Sequence, residues 1–184
     1  MPNTRYDIPA KAKRQSKRGS AAFQTFYRHF FVNECGLIRG EVDLSFLKDL
    51  TPQETTLAKD LIRRNLNRGY THILQGAAAL HDHEVVPQVK EMLACESNLS
   101  RRLTIAGTLW KLDKDPSFVE CLYDMVQSDS NSLKEAHIDQ IAWLGDERAI
   151  NLLIDLLEDD GSFVRYLALS RLNEIEQKLA IGSF

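Results

Sequence analysis

The sequence lacks any long apolar run, since no stretch approaches the roughly 20 residues that a membrane-spanning helix needs. The N-terminus lacks the apolar segment of a secretory signal. Cysteine is scarce as well, and Cys35, Cys95 and Cys121 are far apart in the sequence. Three scattered cysteines do not make a disulfide framework, so we predict reduced core thiols in a cytoplasmic protein that makes no membrane contact.

Strand signals and common catalytic motifs are also missing. Val, Ile and Thr never alternate with polar residues over the length of a strand, and no Asn-Gly or Asp-Gly turn joins two such runs. The sequence has no Gly-rich phosphate loop, no Gly-x-Ser-x-Gly and no Cys-x-x-Cys. We therefore predict an all-α chain after residue 20, without a catalytic site and without a cofactor.

Charge is unevenly distributed along the chain. Residues 1–18 contain six basic residues against one acid, Asp7, whereas residues 111–160 contain thirteen acids against four bases. The basic segment has almost no apolar pattern, which is typical of a solvated tail. We predict a basic flexible arm over residues 1–19, followed by an acidic body.

The segment from residue 20 to residue 68 is predicted to form an N-terminal helical cap. Five aromatic residues at helical spacing predict a first helix near residues 20–33: Phe23, Phe26, Tyr27, Phe30 and Phe31. Further on, "TPQE" combines the N-cap residue Thr51, Pro52 in the first helical position and Glu54, which completes a capping box.

A repeat of about 32 residues covers the remainder, residues 69–184. Its marker residues Leu80, Leu112 and Leu144 are 32 residues apart, and Ile175 follows 31 residues later. Each marker ends one apolar helix and is followed by a short polar turn and a second amphipathic helix. One such pair cannot bury its apolar face alone, so the pairs are expected to stack as a helical solenoid. Ser132 and Glu135 are expected to form a capping box at the start of a further helix.

These units resemble HEAT-like repeats, in particular the short repeats of bilin-lyase-type proteins. The resemblance rests on "DDGSFVRYLALSRL" and "LGDERAINLLIDLL" and covers roughly residues 69–178. It implies an all-α, right-handed α-α superhelix, a HEAT-like solenoid that follows the helical cap. It identifies the fold better than the function, because this repeat serves many roles.

The stretch "HDHE" raises the question of a metal site, since His81, His83 and Glu84 are all potential ligands. In the repeat register, however, it occupies the same inter-helix turn as "DKD" and "GDE". Deoxyhypusine hydroxylase, which is similar in fold, binds iron through His-Glu pairs in several units, whereas this chain has one such pair. We therefore predict a polar turn with Asp82 as a helix N-cap, and no metal site.

The second helices of the repeats carry many acids. Burial of their apolar positions leaves a row of polar residues facing outward, on what the resemblance implies is the concave side. The predicted partner-binding residues are Glu120, Tyr123, Asp124, Asn151, Asp155 and Glu158. The resulting hypothesis is a non-enzymatic scaffold that binds a basic protein partner. A concrete version is an immunity or antitoxin protein that occludes a basic toxin.

Two alternatives remain at this point. The resemblance also allows a bilin lyase or isomerase, or a tetrapyrrole chaperone, although no catalytic residue of those proteins can be matched. The basic residues within positions 1–18 allow a nucleic-acid binder, because phosphate contacts need clustered Lys and Arg. Nucleic acid is not expected on the acidic second helices.

Overall fold

The structure, a computed structural model, describes residues 6–33, 43–144 and 147–180. All regular elements in these ranges are helices, which confirms the predicted all-α class. The α-helices are α1 (Ala10–Arg18), α2 (Ala21–Phe31), α3 (Pro52–Asn65), α4 (Thr71–Ala79), α5 (Val86–Cys95), α6 (Leu99–Asp113), α7 (Ser117–Val126), α8 (Asn131–His137), α9 (Glu147–Asp155) and α10 (Ser162–Ala180). Short 3-10 helices cover Leu44–Asp49, Leu66–Arg68, His83–Val85, Ile138–Leu144 and Leu156–Glu158.

The chain divides into two compact units. The first contains Met1–Cys95 and Thr108–Lys114, and the second contains Glu96–Gly107 and Asp115–Phe184. Helix α6 contributes residues to both units. The domain boundaries expected from the sequence, after residues 19 and 68, stay predictions.

The core of the first unit is built around the aromatic stripe of α2. Ser20 caps this helix by accepting a hydrogen bond from the Phe23 backbone N–H at 3.1 Å. Phe23, Phe26 and Phe30 are fully buried, which confirms the predicted stripe. Helix α4 approaches α2 closely at Gly76, where an added Cβ would lie 2.5 Å from the Phe30 ring. The absence of a side chain at Gly76 therefore allows this packing.

Helix α1 corrects the expectation of an unstructured arm for Ala10–Arg18. One face of the helix packs against α2 and buries Ala12 completely, while its lysines and arginines remain largely in solvent. The sequence pattern missed this helix because a single small residue provides its buried contact. Residues 1–5 lie outside the described residues.

The capping box at the start of α3 forms as predicted. Thr51 Oγ1 accepts from the Glu54 N–H, and the Glu54 carboxylate accepts from the Thr51 N–H at 3.2 Å. The same carboxylate accepts hydrogen bonds from Ser20 and Gln15, so it joins the starts of α2 and α3 to α1. Glu54 is 4% exposed and is thus a buried hub of the first unit.

Burial confirms the repeat register at the first three markers but not at Ile175, which is only half-buried and is preceded by the exposed Leu169. The marker residues Leu80, Leu112 and Leu144 are 7%, 6% and 7% exposed. The positions three and six residues before each marker are fully or almost fully buried: Ala77, Leu109, Ile141, Leu74, Ala106 and Ile138. A 32-residue spacing therefore places the same inward face in three successive helices.

In the second unit, α9 packs against α7 and against the 3-10 helix Ile138–Leu144, and α10 packs against α8 and α9. A capping box expected at Ser132 and Glu135 is wrong, because Ser130 Oγ accepts from the Leu133 N–H and α8 begins at Asn131. A buried ion pair between Lys134 of α8 and Asp159 fixes the turn before α10.

The prediction that the cysteines lie in the core is correct for one of them and wrong for another. Cys121 is buried, as predicted, but Cys95 is exposed at the end of α5, so its assignment to the core was wrong. Cys35 lies outside the described residues. None of the helices in the described ranges is both long enough and apolar enough to cross a membrane.

Candidate protein-binding surface

Helix α7 has a sharply divided surface. It buries an apolar face that includes Phe118, Leu122 and Met125, each with no accessible surface. Because residues three and four apart share a face of a helix, Glu120, Tyr123 and Asp124 must then point outward. All three are exposed, and Tyr123 keeps 42% of its surface in solvent. The structure thus presents a large aromatic side chain between two carboxylates.

Helix α9 repeats this arrangement 31 residues later. It buries Leu152 and Leu153 and leaves Asn151, Ile154 and Asp155 exposed. In the repeat register Ile154 corresponds to Tyr123, and Asp155 corresponds to Asp124. The two helices pack directly against each other, so their outward faces lie side by side in one unit.

We call the outward faces of α7 and α9, together with the 3-10 helix Leu156–Glu158 that follows α9, the acidic-apolar surface. It contains the six residues predicted from the sequence and one further apolar residue: Glu120, Tyr123, Asp124, Asn151, Ile154, Asp155 and Glu158. Ile154, which is 49% exposed, was missed by the sequence analysis. Its correspondence to Tyr123 in the register was the signal that could have identified it.

Arg102 of α6 contacts one edge of this surface. Its Nη1 atom donates to Asp124 Oδ2 at 3.0 Å, and both side chains remain partly exposed. Arg102 is not among the residues predicted from the sequence, and it lies 22 residues before its partner. Lys134, 32 residues after Arg102, also pairs with an aspartate, but that aspartate, Asp159, is not the register equivalent of Asp124. Because of its pair with Arg102, Asp124 contributes less net negative charge than its position suggests.

The "HDHE" stretch forms a turn between two helices, as the sequence predicts. His81 and His83 are exposed, and His81 adopts a left-handed backbone conformation with φ of 48°. Asp82 does not cap the next helix, which corrects that part of the prediction. Its buried carboxylate instead accepts from Arg63 Nε at 2.7 Å and from Nη2 at 2.5 Å. Glu84 accepts from the Nη1 atom of the same guanidinium at 2.5 Å.

In the described part of the chain, no cluster of three or more His, Cys, Asp or Glu residues is arranged to hold a metal ion. The remaining histidine of the first repeat, His72, is buried in α4 and shares a hydrogen bond with Tyr6 Oη at 3.2 Å. His72 therefore belongs to the aromatic core and does not complete a site with the exposed turn.

A cavity of about 600 Å³ in the first unit brings basic residues of α1 and α3 together. Its charged lining residues are Lys11, Lys59, Asp60, Arg63, Arg64 and Glu84. The arginines are bound by carboxylates, Arg63 by Asp82 and Glu84, and Arg64 by Asp60 and Asp7. These acids offset the positive charge that a phosphate-binding site requires, so the cavity does not favour the nucleic-acid alternative.

The buried repeat register and the paired outward faces define a helical-repeat protein with an exposed, chemically mixed surface. Residues 86–173, which are just under half of the chain, match the family model of HEAT repeats. This match supports the HEAT-like repeat family that the sequence analysis identified, and HEAT repeats indicate a protein-interaction scaffold, typically without enzymatic activity. Comparison with the curated proteins and with the solved structures gave no match.

Proposed function

We propose that this protein is a non-enzymatic scaffold that binds a basic protein partner through the acidic-apolar surface. The observation that carries the proposal is the repetition of one chemical pattern at equivalent positions of α7 and α9. Tyr123 and Ile154 provide exposed apolar contacts, and Asp124 and Asp155 follow them directly in the sequence. Exposed apolar side chains that are surrounded by carboxylates are typical of an interaction site.

The apolar residues supply contact area, whereas the acids select the partner. Aromatic and aliphatic anchors within a polar rim are typical of protein interfaces. The surrounding chain is strongly acidic, with thirteen acids against four bases over residues 111–160. The negative electrostatic potential of these acids accelerates association with a positively charged protein and repels a negatively charged one.

A more specific form of the proposal is an immunity or antitoxin protein in the cytoplasm. A nuclease toxin carries a positively charged cleft that binds phosphates, and exposed carboxylates can occupy that cleft in place of the phosphates. The mechanism would be occlusion of the cleft without a chemical step. Glu120, Asp155 and Glu158 are the residues expected to take the phosphate positions.

The proposal is tested by affinity capture from the native host at low and at high salt. We expect the wild-type chain to retain a basic protein at low salt and to lose it at high salt, because exposed charges are screened. Asp155→Lys combined with Glu120→Lys should abolish the capture. Asp155 is preferred to Asp124 for this purpose because Asp124 also holds Arg102.

The matched control is Glu135→Lys, which reverses the charge of an exposed acid on α8 of the same unit. This variant should capture the partner as well as the wild-type chain does. Equal recovery by all three proteins, or recovery of a partner that is not basic, would contradict the proposal. If the captured protein is a nuclease, adding the wild-type chain in excess should inhibit it and the double variant should not.

A further inference from the structure

Five basic side chains cover the outward half of α1. At about 100° per residue, they fall within an arc of roughly 160° that is centred opposite the completely buried Ala12. All five are exposed, and no carboxylate in the described part of the chain pairs with them: Lys11, Lys13, Arg14, Lys17 and Arg18. We call these five residues the basic face.

The helix that carries the basic face is held by contacts with α3. The Asp7 N–H donates to Asn65 Oδ1 at 2.7 Å, and Asn65 Nδ2 donates back to the Asp7 carbonyl at 3.0 Å. Within α1, Gln15 Nε2 donates to the buried carboxylate of Glu54 at 3.1 Å. Helix α1 has nine residues, and helices shorter than about 12 residues are barely stable alone in water. These contacts therefore keep the five cations on one side of a formed helix.

The cations of the basic face repel one another. Lys13 and Lys17 lie four residues apart, and so do Arg14 and Arg18. Like charges at this spacing destabilise a helix, and α1 contains no acid that could offset them. A bound polyanion removes this repulsion and adds attraction, so the basic face favours an anionic partner.

The charge of the whole first unit has the same sign. This unit contains sixteen basic residues against eleven acids, whereas the second unit contains seven against fifteen. The net charge of −3 thus combines a positive unit with a strongly negative one. The cavity beside Lys11 does not contribute to the basic face, because its arginines, Arg63 and Arg64, are already bound by acids.

We propose that the basic face binds the phosphate backbone of double-stranded nucleic acid without reading its sequence. From Lys11 to Arg18 the face is about 10 Å long at 1.5 Å per residue. A duplex carries one negative charge per 1.7 Å or so, and therefore about six charges over that length. The two charge densities are closely matched. The inference goes beyond the proposed function and does not rest on it, because the acidic-apolar surface belongs to the other unit.

Other anionic partners match the basic face less well. A helix that lies on a membrane buries large apolar side chains in the lipid. A protein interface is typically depleted in lysine and contains aromatic or apolar anchors. The outward half of α1 has no apolar side chain larger than that of Ala10. A phosphate backbone needs no such anchor, because lysine and arginine contact it directly.

The test is fluorescence anisotropy of the wild-type chain with a labelled DNA duplex of about 20 base pairs over a range of NaCl concentrations. We expect a Kd of about 1–100 µM at about 50 mM NaCl, as is typical of non-specific binding. The logarithm of Kd should rise with the logarithm of the salt concentration with a slope of about 4, because each phosphate contact releases about 0.9 counterions. A duplex of unrelated sequence should bind equally well, since phosphate contacts carry no sequence information.

Arg14→Gln combined with Lys17→Gln removes two cations from the centre of the basic face. We expect this variant to raise Kd about 10-fold or more at low salt and to lower the slope by about 2. Glutamine has nearly the helix propensity of lysine and arginine, so α1 should remain folded. The matched control is Lys48→Gln combined with Arg68→Gln, which removes two exposed cations of the same unit outside the basic face. Its Kd should stay within about 2-fold of the wild-type value.

Three results would overturn the proposal. The first is a wild-type chain that does not bind the duplex at low salt, or an equal loss of binding in the two double variants. The second is tighter binding to phosphatidylserine vesicles or to a single strand of DNA at the same phosphate concentration. The third is self-association at low salt that Arg14→Gln with Lys17→Gln removes, because the basic face would then bind the acids of a second copy.

Discussion

Arg63 and Asp82 form a bidentate ion pair, in which Nε and Nη2 of the guanidinium donate to the two carboxylate oxygens at 2.7 and 2.5 Å. Asp82 is 1% exposed, whereas Arg63 is about one third exposed. The hydrogen bonds that Arg63 donates to Asp82 are the main reason that the pKa of Arg63 is raised. The turn that looked like a metal site is therefore anchored to α3 by its aspartate, while its histidines remain outside.

Removing the cation should be costly, because it leaves a buried carboxylate without its partner. We expect Arg63→Met to lower the free energy of unfolding by about 2–4 kcal/mol, near the lower part of the range for buried pairs because Arg63 is partly exposed. Arg64→Met is the control, since Arg64 pairs with the partly exposed Asp60. That variant should have a much smaller effect, because both partners of this ion pair are exposed to solvent. Urea denaturation measures both, and equal losses would contradict the proposed role of Asp82.

Glu54 should make the stability of the first unit depend on pH. Burial alone would raise its pKa, but hydrogen bonds from Ser20, Thr51 and Gln15 outweigh burial and lower the pKa from 4.5 to about 2. Because the pKa is lower in the folded state, the stabilisation is complete above about pH 4.5. It is lost as the pH falls from 4.5 towards 2.

Glu54→Gln therefore imitates the protonated carboxyl. This variant should lower the free energy of unfolding by about 3 kcal/mol at pH 7, and the difference from the wild type should disappear near pH 2. Glu135→Gln, at an exposed position, should have almost no effect at either pH. A difference between wild type and Glu54→Gln that is independent of pH would show that packing, and not ionisation, is responsible.

The histidines of the turn should be dispensable. His81 has a positive φ, which glycine adopts without strain, so His81→Gly is expected to raise the free energy of unfolding by about 0.5–1 kcal/mol. Combining it with His83→Ala should leave the response of thermal unfolding to added Zn²⁺ unchanged. A Zn²⁺-dependent rise in the melting temperature that disappears in the double variant would restore the metal-site interpretation.

The sequence predicted the features that local patterns determine. The 32-residue spacing of Leu80, Leu112 and Leu144 identified the buried face, because helical periodicity and burial are directly linked. The capping box of Thr51 and Glu54 was predictable for a similar reason, since its partners are three residues apart. The outward positions of α7 and α9 then followed from their buried positions.

Contacts between distant residues could not be predicted in this way. The pairing of Arg63 with Asp82 and that of Arg102 with Asp124 join residues about 20 positions apart in the sequence. Their partners depend on how neighbouring helices pack, and helical periodicity does not contain that information. The cap of α8 was misplaced for a related reason, since Ser130 and Ser132 are both suitable N-cap residues and only the chain direction at the turn selects one.

The most direct measurement of the central claim is the affinity of the captured partner for wild-type, Asp155→Lys and Glu135→Lys chains over a range of salt concentrations. If the acidic-apolar surface binds that partner, Asp155→Lys should raise Kd about 10-fold or more at low salt, and the difference should shrink as salt increases. Glu135→Lys should match the wild type throughout. A Kd for Asp155→Lys within about 2-fold of the wild-type value at low salt would contradict the account.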